Sequence, residues 1–132
     1  MPYTIEVLSI GEDLYADVED AAVALNWSQT EFEFVLPPDR LKTHGLPFKQ
    51  KEYYTNDVFA LLREYRTVAK GHRPYLIAVL RGSLRSDAYR NLFGSHEATD
   101  GLAVINVEDQ DRYTHSRRRF LSYYFIRYAL SF

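Results

Sequence analysis

Tyr3, Ile5 and Val7 alternate with Thr4 and Glu6, and Leu8 and Ile10 then carry the apolar character up to Gly11. A period of two marks a strand with one covered face, so residues 3 to 9 predict the first strand. Leu14, Val18, Ala21, Ala22 and Leu25 recur at helical spacing, with Asp17, Glu19 and Asp20 on the other face. They predict a helix over residues 14 to 25, with Asp13 as its cap and Asn26 as its stop. Glu31 to Leu36 alternates and then turns apolar before Pro37-Pro38, which cannot continue a ladder, so a second strand ends there and residues 37 to 48 read as loop.

Gln50 to Tyr54 is strand-like but charged, and predicts at most an antiparallel edge strand. Thr55 can cap a helix over residues 56 to 70 that carries Val58, Leu61, Leu62, Tyr65, Val68 and Ala69 on one side, with Gly71 placed for a left-handed C-cap. Tyr75 to Leu80 is a continuous apolar run of strand length, the pattern of a central strand covered on both faces. Gly82 to Gly101 reads as a polar connection with one short helical turn around Asp87 to Leu92, and Gly101 launches a strand over Leu102 to Val107.

The last stretch is the most apolar. Phe120, Leu121, Tyr124, Phe125, Tyr128, Ala129 and Phe132 line one face of a helix that Arg127 and Ser131 leave. Arg127 interrupts the run before it reaches the about 18 to 20 apolar residues of a membrane span, so the helix is expected to pack on the sheet. No Gly, Pro or polar tail follows Phe132. The chain is therefore read as a single domain over residues 1 to 132, either complete or the N-terminal part of a longer protein. Strand-helix-strand units imply an α/β fold, also describable as α+β: a mixed, mostly parallel sheet of four or five strands packed by about three helices.

Composition narrows the function. With 132 residues, 46% hydrophobic and 15% aromatic, the chain can bury a real core. Sixteen basic and eighteen acidic residues leave a net charge of −2, so no global field recruits nucleic acid or an anionic membrane. The absence of cysteine removes disulfides and thiolate metal sites, and Met-Pro-Tyr-Thr does not resemble a signal peptide, so a soluble, cytoplasmic protein is expected.

The order of elements carries a resemblance. A strand ending in Phe34-Val35-Leu36-Pro37, then Glu52-Tyr53-Tyr54 leading into a helix with Leu61-Leu62, then Asn91-Leu92-Phe93-Gly94, resembles the archaemetzincin branch of the metzincin metalloproteases over nearly the whole chain. In that family a strand similar to Gly101-Leu102-Ala103-Val104-Ile105 precedes an active-site helix bearing HExxHxxG. The resemblance places Tyr124 and Tyr128 at the two histidine positions, Phe125 at the glutamate and Ser131 at the glycine. The family's third zinc ligand and Met-turn would lie beyond residue 132.

Zinc hydrolysis needs two neutral imidazoles one helical turn apart, a third ligand, and a carboxylate to take a proton from the bound water. Phe125 cannot accept a proton, and phenols with an ordinary pKa near about 10 are poor zinc ligands beside imidazole. The helix therefore implies no family chemistry, no metal and no cofactor, and Tyr124, Phe125 and Tyr128 read as packing aromatics. The favoured function is a catalytically inactive metzincin-like module that binds a protein. Its partner would be a second copy, another protein or a further domain of the same chain, docked on the terminal helix through Tyr123, Ile126, Leu130 and Phe132. The alternative is an enzyme using loop residues, hydrolytic through His96 and Glu97 or nuclease-like through Asp109 and Arg117. Against that alternative, His96 and Glu97 read as a solvated loop, since polar residues beside Gly94 and Gly101 need no function to explain them. The acidic run Glu108 to Asp111 reads as salt bridging to Arg117, Arg118 and Arg119, which oppose a helix dipole.

Overall fold

The computed structural model describes residues 3–10, 14–36, 52–68, 75–86, 92, 94–108 and 116–132. In chain order it contains β1 (Tyr3–Ser9), α1 (Tyr15–Ser28), β2 (Phe32–Val35), β3 (Glu52–Tyr54), α2 (Thr55–Val68), β4 (Leu76–Leu80), β5 (Ser83–Arg85) and β6 (Gly94–Glu97). A 3₁₀ turn (Ala98–Asp100), β7 (Leu102–Asn106) and α3 (Arg117–Ser131) complete it. Five strands form one sheet in the order β2-β1-β4-β7-β6, parallel except for the antiparallel pair of β6 and β7. This is the mixed, mostly parallel α/β architecture that the apolar pattern predicts.

The sheet is covered on both sides. Ile5, Val7, Ile77, Val79, Ala103 and Ile105 face α1 and α3, which pack against each other, while Leu8, Leu76, Ala78, Leu80, Leu102 and Val104 face α2. Successive strand residues point to opposite faces, so a strand buried on both must be apolar throughout, and all five residues of β4 and of β7 are buried. Each fully buried Leu or Ile contributes about 1.5–3 kcal/mol relative to exposure. The parallel neighbours β1 and β2 need a crossover, and α1 supplies it. Both α1 and α3 bring their C-terminal ends to the N-terminal ends of the strands: Asn26 reaches Phe34, and Phe132 stacks on Tyr75 at 5.3 Å. The two helices therefore run in the same direction.

Several local expectations change. Asn26 does not stop α1, which continues to Ser28 with the Gln29 N–H donating to Leu25 O at 3.1 Å. Leu14 holds the N-cap position with no side-chain cap, and Asp13 lies outside the described residues. Thr55 is the buried first residue of α2. The Gln50 to Tyr54 segment yields β3, which is not an antiparallel edge: it runs parallel to β5 in a separate two-stranded sheet. The stretch from Gly82 to Gly101 is more ordered than its polarity implies, because it holds β5 and β6. Loop 37 to 48, Gly71 and most of the turn expected at Asp87 to Leu92 lie outside the described residues. Gly101 has a φ of 66°, the left-handed conformation a glycine adopts without cost where the 3₁₀ turn enters β7.

Candidate functional site

The terminal helix is set by its first residues. Ser116 caps it, its Oγ accepting from the Arg119 N–H at 3.2 Å. Three arginines in the first turn face the positive end of the helix dipole, and Arg117 is compensated by Asp17 of α1, with Nη1 donating to Oδ2 at 3.1 Å. Phe120, Leu121, Phe125, Tyr128 and Ala129 are buried against the sheet and α1. The Arg117 pairing thus lies between helices, and Asp109 is outside the described residues.

Phe125 is completely buried and stacks on Phe34 of β2, ring centroids 5.7 Å apart and planes 22° apart. Tyr128 turns toward the edge strand β6. Its hydroxyl occupies the space that a side chain on Gly94 would need, beside the Val104 carbonyl, and its ring lies 5.5 Å from that of His96. Tyr124 is 5.9 Å from Tyr128 and carries the Arg127 guanidinium over its ring at 5.8 Å. Burial, with Tyr124 beside it, pushes the Tyr128 hydroxyl up to about 12, so it is a neutral phenol at physiological pH.

His96 is therefore no longer in a loop: β6 brings it to the face where Tyr124 and Tyr128 stand. The same strand separates it from Glu97. His96 pairs in register with Ala103 and faces α3, whereas Glu97 pairs with Leu102 and faces α2. There Glu97 meets Arg63, which also donates from Nε to Asp100 Oδ2 at 2.8 Å. Proton transfer between His96 and Glu97 has no direct path through a sheet.

A protein-bound zinc ion takes imidazole, thiolate or carboxylate ligands. The cluster of Tyr124, Phe125, Tyr128 and His96 offers one imidazole, two neutral phenols and a buried phenyl ring. No group of three or more His, Cys, Asp or Glu residues with metal-holding geometry exists among the described residues. This donor set does not fit zinc.

The outer surface of the helices carries several large apolar side chains. Tyr123 is 61% exposed and Leu130 68%, with Ile126 and Phe132 half-buried beside them. A half-open cleft of about 230 Å³ lies at the C-terminal end of α3, between Leu130, Phe132 and Ala129 and, from the sheet side, the strand residues Tyr3, Ile5 and Phe32 with Tyr75 just before β4. On α1, Trp27 is 86% exposed and Val23 50%. Sequence reasoning missed these two, although their i, i+4 spacing on the face opposite Val18, Ala21 and Ala22 was legible. It also missed Glu6, a buried carboxylate on β1 that accepts from the Tyr65 hydroxyl at 2.5 Å. Its place in an alternating strand concealed it.

The mostly parallel sheet with one antiparallel edge strand, backed by a helix after β7, has counterparts among solved structures of archaemetzincins. The particular fold is archaemetzincin-like. The archaemetzincin of Methanopyrus kandleri superposes with a TM-score of 0.54 at 15% identity, over 80% of this chain and 58% of that one. Archaemetzincin of Archaeoglobus fulgidus, solved with malonate, gives 0.51 at 18% identity over 92% of this chain and 68% of that one. The chain thus spans less than two thirds of the first relative's length. Neither a protein-family profile nor a curated protein sequence matches. Among the described residues, no helix is long and apolar enough to cross a membrane.

Proposed function

We propose that this chain is a metzincin-like domain that performs no zinc hydrolysis and acts by binding protein through the outer surface of its terminal helix. The observation that carries this reading is the position of Tyr128. At the place where the resembling family has a histidine, a neutral phenol fills the space over Gly94 and packs on His96. The neighbouring Phe125, at the glutamate position, is sealed against Phe34 and cannot reach water. Beside the exposed Arg118, Arg119 and Arg127, α3 presents large apolar side chains to solvent, Tyr123 and Leu130 above all, bordered by an aromatic cleft; apolar surface of this kind marks binding sites.

The test is a zinc titration with parallel assays of peptide cleavage. The expected result is no stoichiometric zinc binding, no thermal shift and no zinc-dependent cleavage. One equivalent of tightly held zinc with peptide turnover would sink the reading.

A further inference from the structure

The two helices that lie side by side on one face of the sheet carry charges of opposite sign. Between Tyr15 and Ser28, α1 has Asp17, Glu19 and Asp20 and no basic residue; between Arg117 and Ser131, α3 has Arg117, Arg118, Arg119 and Arg127 and no acidic one. Within one molecule Arg117 and Asp17 pair across the two helices. Glu19 and Asp20 on α1, and Arg118, Arg119 and Arg127 on α3, are exposed. So are the large apolar residues between them, Val23 and Trp27 on α1 and Tyr123 and Leu130 on α3.

We propose that this two-helix face is self-complementary and docks a second copy of the chain across a two-fold axis, the acidic α1 of each protomer lying over the basic α3 of its partner. The proposal rests on the protein-binding reading above and names the partner.

The geometry follows from two observations. First, α1 and α3 run in the same direction, and Arg117 and Asp17 place their first turns at the same level. Second, a two-fold axis parallel to the helices and lying in the interface exchanges α1 and α3 while keeping every residue at its level. Such an isologous contact brings each patch onto its own complement. Glu19 then meets the level of Arg119 of the partner subunit, Val23 that of Tyr123 of the partner subunit, and Trp27 that of Arg127 of the partner subunit. These are an ion pair, an apolar pair and a cation over an indole, each repeated by symmetry. A two-fold axis perpendicular to the helices instead lays α1 on α1 and α3 on α3 antiparallel, which leaves the acidic and basic first turns without opposite charges across the contact. Helices of this length, about 21 Å, present a modest face, so the dimer is expected to dissociate in the micromolar range.

The experiment is sedimentation equilibrium of the 132-residue chain across a concentration series at low and high salt, with surface variants whose folding is checked by circular dichroism. The parent is expected to form a dimer that weakens as salt rises, because the opposed charges are exposed. Glu19→Arg or Arg119→Glu alone should each weaken it about tenfold, since each creates two symmetry-related repulsions. The double exchange of Glu19→Arg with Arg119→Glu should restore it, and Trp27→Ala should weaken it without altering salt dependence much. A parent that stays monomeric throughout overturns the proposal, as does a dimer indifferent to these variants or one that the double exchange does not restore. None of these outcomes bears on zinc binding, so failure here and failure of the silent-site reading are separable.

Discussion

Asn26, near the end of α1, presents its whole carboxamide to Phe34 of β2: Nδ2 donates to the Phe34 carbonyl at 2.8 Å, and Oδ1 accepts from the Phe34 N–H at 2.9 Å. Gln29 repeats the arrangement at Phe32, donating at 2.7 Å and accepting at 2.8 Å. β2 is an edge strand, and these two amides take up backbone groups that another strand would otherwise recruit.

Replacing Asn26 with Ala is therefore expected to cost about 1–3 kcal/mol, because a donor and an acceptor of the edge are left without protein partners. It should also promote aggregation on mild heating. Urea unfolding and light scattering measure the two effects, and the double variant with Gln29→Ala should aggregate faster than either single one. Unchanged scattering in the double variant would show that the amides do not guard this edge.

Glu6 and Tyr65 give a pH dependence. Burial, reinforced by the hydrogen bond to Glu6, raises the Tyr65 hydroxyl well above the usual phenol range, and burial raises Tyr128 to about 12. A phenol whose folded pKa is raised stabilises the fold fully below the unfolded value of about 10, and that contribution is lost as pH rises through the folded value. Stability should hold near neutrality and fall from about pH 10 upward. Tyr65→Phe should lower stability at pH 7 by about 1–3 kcal/mol, since it withdraws a donor from a buried carboxylate, and should flatten the alkaline decline. A decline as steep as the parent's in both Tyr65→Phe and Tyr128→Phe would assign it elsewhere.

Gly94 has no room for a methyl group. An added Cβ would fall 2.7 Å from the Val104 carbonyl oxygen and collide with the Tyr128 hydroxyl. Gly94→Ala is expected to lose about 1–3 kcal/mol through overpacking, and removing the hydroxyl in the same chain by Tyr128→Phe should recover part of the loss. Thermal melts of the three variants decide it; simple addition of the two losses would mean that the residues do not share this space.

Phe125→Glu places a carboxylate under Phe34 at a position that is completely buried. An unpaired buried carboxylate costs several kcal/mol or takes up a proton. The variant should melt well below the parent and gain no zinc binding. An undiminished melting temperature with zinc-dependent peptidase activity would contradict the packing described.

Where burial decides conformation, the residues themselves were sufficient. β1, β2, β4 and β7 follow from alternation or from continuous apolar runs, and the three helices from periodicity, because those patterns are what a sheet covered on both faces requires. The α/β class and the archaemetzincin-like order of elements follow in turn.

Tertiary structure alone decided the rest. β6 reads Gly-Ser-His-Glu, with neither apolar alternation nor β-branched residues, and exists because β7 offers it a partner. Its pleat, set by that partner, carries His96 toward Tyr128 and Glu97 toward Arg63, so two adjacent residues that looked like one site belong to opposite faces. Asn26 reads locally as a helix stop, yet a strand eight residues on claims its amide. Nor could α1 and α3, a hundred residues apart, show that their opposite charges share one face until the sheet set them side by side.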